Sequence, residues 1–160
     1  MTTKEIEYIA YNYLWKKGTY LCYEIAAPRS LVNKYHRERV DLLSYDTSGF
    51  WRCYEIKNSV NDFYSKAKLS FWGNYNYFIL NANIYEKVKQ DIPDGIGVWL
   101  VYHTGNNRGY MDCVKKPKRR ELLCSHEDLM FAFMQGLSRE YKKYRKFLEK
   151  EDKQTSKKKE

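Results

Sequence analysis

The stretch Arg39–Lys57, RVDLLSYDTSGFWRCYEIK, sets two runs of branched, aromatic and apolar residues on either side of Asp46-Thr47-Ser48-Gly49. Such runs predict two β-strands. The segment between them is turn chemistry, with Gly49 free to take a positive φ. If Thr47 to Gly49 form a three-residue loop with Gly49 as its left-handed residue, Asp46 lies opposite Phe50. Counting back in antiparallel register then sets Asp41 opposite Glu55. Lys57 follows Glu55 by two residues and points to the same face. A four-residue loop would shift the register by one and divide the two acids between faces.

Two carboxylates and an ammonium at strand ends suit phosphodiester hydrolysis. Mg²⁺ prefers oxygen ligands and is commonly held by one or two carboxylates with waters. Asp41 and Glu55 supply the carboxylates, and the Ile56 carbonyl is placed to add a third oxygen. Such an ion polarises a phosphate and acidifies a bound water. Lys57 can orient that water or offset charge on the phosphorane. Glu-x-Lys alone is weak, because Glu140-Tyr141-Lys142 and Glu151-Asp152-Lys153 repeat it. Asp41, Glu55 and Lys57 differ in sitting at the ends of apolar strands, where an unpaired charge is costly. On these residues alone, a metal site and a plain ion pair, Glu55–Lys57 or Asp41–Arg52, both remain open.

Further motifs carry a resemblance. They are Arg39-Val40-Asp41-Leu42-Leu43, Glu55-Ile56-Lys57-Asn58-Ser59 with Asp62-Phe63, Lys66 and Lys68, Tyr77-Phe78-Ile79-Leu80-Asn81, and Pro93-Asp94-Gly95-Ile96-Gly97. Together they resemble the PD-(D/E)xK (restriction-endonuclease-like) nuclease superfamily and are similar to its MmcB-like DNA-repair branch and related phage proteins. The likeness runs from about the first helix to Arg120. Val40 stands where the superfamily's name has proline. The resemblance implies a metal-dependent nuclease using Mg²⁺ or Mn²⁺, with Asp41 and Glu55 on the metal and Lys57 assisting the water. It implies DNA as substrate, with RNA not excluded, and DNA repair, recombination or phage DNA processing in a bacterial or phage-infected cytoplasm. A homodimer or a larger DNA-processing assembly is also open. Since the superfamily includes inactive members, the resemblance implies the fold more firmly than the cutting. An inactive nucleic-acid-binding or interaction protein on the same fold is the alternative.

Many superfamily members carry an upstream acid. Glu24, on the strand before the hairpin, is the first candidate for it, with a solvent-facing role as the alternative; Glu5 and Glu7 follow. His36, in the polar connection 30–38, is a candidate phosphate contact or a plain surface histidine. Ser59 and Asp62 read as a helix start, compatible with holding Lys57 or Lys66 in place. Lys66 and Lys68 lie on the helix expected over 62–73, as phosphate contacts or, for Lys66, an i,i+4 partner of Asp62. Lys118, Arg119 and Arg120, within the basic run 115–120, are candidates for a phosphate-binding loop.

Around these, helical spacing of Ile6, Ile9, Ala10, Tyr13 and Leu14 predicts a helix stopped by Gly18. Strands are expected at 20–26, 75–81 and 97–102, a short helix at 84–91, a hairpin return at 110–114, and a helix from Ser125 to about Leu148. This is an α/β pattern, and the resemblance sharpens it to a restriction-endonuclease-like mixed sheet of four to five strands flanked by helices. Residues 1–148 make one domain, and 149–160 read as a charged, disordered tail.

The chain has 160 residues and a net charge of +9, of which about eight remain without the tail, so a polyanion is a natural partner. No stretch is long or apolar enough for a membrane helix. Cys22, Cys53, Cys113 and Cys124 lack CxxC spacing and read as buried thiols in a reducing compartment. With 16 tyrosines the chain could spare aromatics for base stacking, Trp72 being the first candidate; core packing is the expected role of most.

Overall fold

The computed structural model describes residues 1–31, 38–65, 71–105 and 108–157, with side chains through Glu151. Its elements are α1 (Thr3–Leu14), β1 (Thr19–Ala26), a 3₁₀ turn (Arg29–Leu31), β2 (Arg39–Asp46), β3 (Trp51–Ile56), α2 (Val60–Phe63), β4 (Tyr75–Leu80), α3 (Ala82–Val88), β5 (Gly97–Gly105), β6 (Arg108–Lys115) and α4 (His126–Lys157). The strands form one sheet in the order β1-β2-β3-β4-β5-β6. The pairs β1/β2, β2/β3 and β5/β6 are antiparallel, and β3/β4 and β4/β5 are parallel.

Each face of the sheet buries its own core. Ile6, Ile9 and Ala10 of α1 meet Leu21, Leu42, Ile56, Ile79 and Met111 on one face. α1 begins with a reciprocal cap between Thr2 and Glu5, satisfying two otherwise orphaned amides. On the other face Leu129 and Phe133 of α4 and Ile84 and Val88 of α3 cover Leu43, Trp51, Cys53, Phe78, Val98 and Leu100.

The sheet has six strands rather than the expected four to five. The sixth is β6, where the hairpin return expected at 110–114 pairs antiparallel with β5 and buries only Met111 fully. The helix expected over 62–73 is one turn among the described residues, Val60–Phe63. Phe71 and Trp72 instead enter the core. Gly73 passes so close to β3 that a Cβ there would lie 2.9 Å from the Trp51 carbonyl oxygen. Buried Asn74 Oδ1 accepts from the Trp51 N–H at 3.0 Å, and Asn76 Oδ1 accepts from the Gly73 N–H at 3.1 Å. Trp72 is fully buried and presents no face for a base, so its stacking role falls.

α4 extends through 149–157, where a disordered tail was expected. Glu149, Lys150, Glu151 and Lys153 are good helix formers carrying both charge signs. Past Glu140 the described side chains of α4 are exposed, including Tyr141, Tyr144 and Phe147. The four cysteines are free; Cys22 and Cys53 are buried as expected, while Cys124 is half-buried and Cys113, on the outer strand β6, is exposed. Among the described residues no helix is long and apolar enough to cross a membrane.

Candidate active site

The β2–β3 turn takes the three-residue form. Gly49 has φ +86°. Its N–H donates to the Asp46 carbonyl at 2.8 Å, and the Asp46 N–H donates to the Phe50 carbonyl at 3.2 Å. The register follows: Tyr45↔Trp51, Ser44↔Arg52, Leu43↔Cys53 and Leu42↔Tyr54. Pairing stops there. One step on, at the level of Glu55, the Asp41 carboxylate oxygen Oδ2 accepts from the Ile56 N–H at 2.7 Å. In a continued antiparallel ladder that N–H would meet the Val40 carbonyl. The strands part at Asp41, and its side chain takes over a main-chain role.

The same level is bent in β1. Tyr23↔Leu42 and Ile25↔Val40 bracket Glu24 and Asp41. Tyr23 and Leu42 belong to the α1-side core, whereas Ile25 and Val40 belong to the α4-side core, so alternation breaks in both strands. Glu24 carries the break with φ +48°, the only non-glycine positive φ among the described residues. A left-handed non-glycine residue costs about 1–3 kcal/mol and tends to mark functional sites.

Half-buried Asp41 has its carboxyl pushed up by burial; the Ile56 N–H and Lys57 oppose this, and Asp62 and Glu24 add to it. Lys57 is 6% exposed. Its Nζ lies 3.6 Å from Asp62 Oδ1, and its N–H extends the β3–β4 ladder to the Ile79 carbonyl at 3.1 Å. Asp62 Oδ2 accepts from the Asn58 N–H at 3.2 Å, and Ser59 Oγ accepts from the Asp62 N–H at 3.0 Å. Ser59 and Asp62 thus cap α2, and Asp62 also positions Lys57. Glu55 is 6% exposed.

Among the upstream acids, Glu24 is half-exposed and pairs with Arg39 at 3.4 Å, while its charge still acts on Asp41. Glu5 is committed to the α1 cap. Glu7 is the other of the two weaker candidates from the sequence. Burial pushes its carboxyl up, and the charges of Asp41 and Glu24 push it further, so α1 brings it into their neighbourhood. Its place three residues before buried Ala10 gave only a faint signal.

The basic run is not brought to this end. The Lys118 N–H donates to the Gly95 carbonyl and the Arg120 N–H to the Asn74 carbonyl, both at 3.0 Å. These anchors precede β5 and β4, at the strand ends opposite Lys57. Lys118 also pairs with Asp94 at 2.7 Å, and the Arg119 guanidinium carbon lies 5.0 Å from the Phe50 ring centre. Lys118, Arg119 and Arg120 therefore do not line the carboxylate end. His36, Lys66 and Lys68 lie outside the described residues.

Among the described residues no three or more His, Cys, Asp or Glu side chains are arranged around one ion. A cation here would rest on Asp41 and Glu55 with main-chain and water oxygens, a donor set that Mg²⁺ tolerates. The Asp41 carboxylate, raised by burial, gains from a neighbouring positive charge.

The fold and the bend at Asp41 describe a six-stranded mixed α/β protein with carboxylates and a held lysine at one end of its sheet. No family model matches the chain, and no curated protein matches it. Among solved structures it is similar to SPO1766, a protein of unknown function from Silicibacter pomeroyi, at a TM-score of 0.69 and 14% identity, over 94% of each chain. That likeness is one of fold.

Proposed function

We propose that this chain is a PD-(D/E)xK-type nuclease that hydrolyses DNA phosphodiester bonds with Mg²⁺ or Mn²⁺, in DNA repair, recombination or phage DNA processing in a bacterial cytoplasm. The carrying observation is the parting of β2 and β3 at Asp41, beside a Lys57 held by Asp62. Asp41 and Glu55 are the residues that would hold the ion, and the ion would supply phosphate polarisation and an acidified water. Lys57 donates to the attacking water or to a non-bridging phosphate oxygen, and Asp62 restrains its ammonium so that little ordering remains to be done. Glu7 and Glu24 add negative charge that favours a cation at this place.

The net charge of +9 suits a second reading as well, a binding protein on the same fold. One assay separates the two. Supercoiled, single-stranded and branched DNA are incubated with the protein and Mn²⁺, beside Lys57→Ala. Cleavage by the wild type and none by the variant supports the nuclease. Salt-sensitive binding with intact DNA supports the binder and overturns the cleavage reading.

A further inference from the structure

The α1 face of the sheet carries a second feature that the carboxylate end does not use. A cavity of about 200 Å³ is lined by Tyr13, Ser44, Arg52, Tyr54, Tyr77 and Trp99. A more open cleft of about 340 Å³ adjoins it, sharing Arg52 and Tyr77 and adding Tyr75, Lys116 and Pro117. We infer that these two adjoining hollows bind a single-stranded segment of nucleic acid, with one unpaired base in the narrower cavity and the backbone along the more open cleft.

Three observations carry the inference. The first is a set of rings along this face, two of them with a guanidinium above. Arg119 lies over Phe50 at 5.0 Å, Phe50 meets Tyr75 edge-on at 5.6 Å, and Arg52 lies over Tyr75 at 5.3 Å. Buried Tyr54 and Tyr77 stack on each other at 5.2 Å, and Trp99 meets Tyr77 at 6.2 Å and exposed Tyr13 at 5.9 Å, which leaves Tyr13, Tyr75 and Trp99 as the rings with open surface. Aromatic faces with interspersed cations are how proteins hold single strands without reading sequence. The second is charge. Lys16 lines the cavity and exposed Lys116 the cleft, and the acid there, Asp46, is bound to Arg52. The third is a missing partner. The Trp99 indole N–H is buried without a hydrogen-bond acceptor, although its ring lines the cavity. A base edge brings carbonyl and ring-nitrogen acceptors. The cavity is smaller than the roughly 300–1,000 Å³ typical of drug-sized sites, which suits one planar ring.

The groove centres on Ser44 and Arg52, three residues along β2 and β3 from Asp41 and Glu55, or about 10 Å at strand rise. The inference rests on the nucleic-acid half of the proposal above and not on its cleavage half.

The test uses the full chain in EDTA with a labelled oligothymidylate, a blunt duplex and thymidine monophosphate, read by anisotropy and tryptophan fluorescence. The oligothymidylate is expected to bind most tightly and to quench tryptophan. Lys116→Glu, at an exposed position, should lower the salt slope by about one. Tyr13→Ala should weaken binding by about tenfold. Trp99→Phe should remove much of the quench with its circular dichroism unchanged. Lys87→Ala, exposed on α3 at the opposite face of the sheet, should bind like the wild type. Unchanged affinity in both Lys116→Glu and Tyr13→Ala would overturn the groove, as would monophosphate binding as tightly as the oligonucleotide. DNA cutting without oligonucleotide binding sinks this inference alone; binding without cutting sinks the nuclease alone.

Discussion

Asp41→Ala and Asp41→Asn should part company. In the alanine variant the Ile56 N–H loses its acceptor at a place where the ladder has already ended. An orphaned buried amide costs about 1–3 kcal/mol. Removing a half-buried carboxylate returns part of this, because burial had raised that carboxyl. A net loss of about 1–2 kcal/mol is expected for alanine, or very roughly 2–8 °C in melting temperature at this chain length. Asparagine keeps an oxygen for the amide and should stay within about 1 kcal/mol of wild type. The pH dependence has a definite sign. Since Asp41 titrates higher folded than unfolded, its contribution falls as pH rises from the acid range through its raised folded value, and the asparagine variant lacks that fall. The cost of Asp41→Asn should therefore be largest in acid and shrink toward neutral pH. Mn²⁺ should raise the melting temperature of the wild type and of neither variant. Urea denaturation with unchanged m-values, repeated across pH and with Mn²⁺, measures all of this. Equal stability of the two variants at every pH would refute the role given to the Asp41–Ile56 bond.

Three further outcomes follow from the geometry. One residue inserted between Thr47 and Gly49 should move the register and send Leu42 and Leu43 to exchanged faces, losing cooperative unfolding; a well-folded variant with wild-type near-ultraviolet dichroism would contradict the turn argument. Glu24→Gly relieves a left-handed φ and should be neutral or up to about 1 kcal/mol stabilising by thermal melting, while DNA cleavage falls if this acid serves the cation; clear destabilisation would count against strain at that position. Among the thiols, exposed Cys113 should react with a disulfide reagent at once, and Cys53, buried with its pKa pushed up to about 12, only on unfolding; rapid labelling of Cys53 in the native protein would contradict its burial.

The parts of the molecule that local chemistry controls were legible in the chain. Gly49 and Asp46 set the hairpin, the hairpin sets the register, and the register sets Asp41 at the level of Glu55. The spacing of Ile6, Ile9 and Ala10 marked α1. What tertiary context decides was not legible. Phe71 and Trp72, expected at the end of a helix, enter the core outside any helix. The basic run 115–120 read as a phosphate-binding loop from its density of charge, which does not say which end of a sheet it reaches.

On β5, Gly97 pairs with Tyr77 of β4, and a Cβ at this glycine would fall 2.6 Å from the Tyr77 ring. The phenol can lie flat only because its neighbour has nothing to offer. A single methyl there would tilt the ring and lift the shelf on which the Tyr54–Tyr77 stack and Trp99 are arranged. The height of that shelf is thus governed by an absent side chain, at a position any survey for reactive or charged groups would pass over.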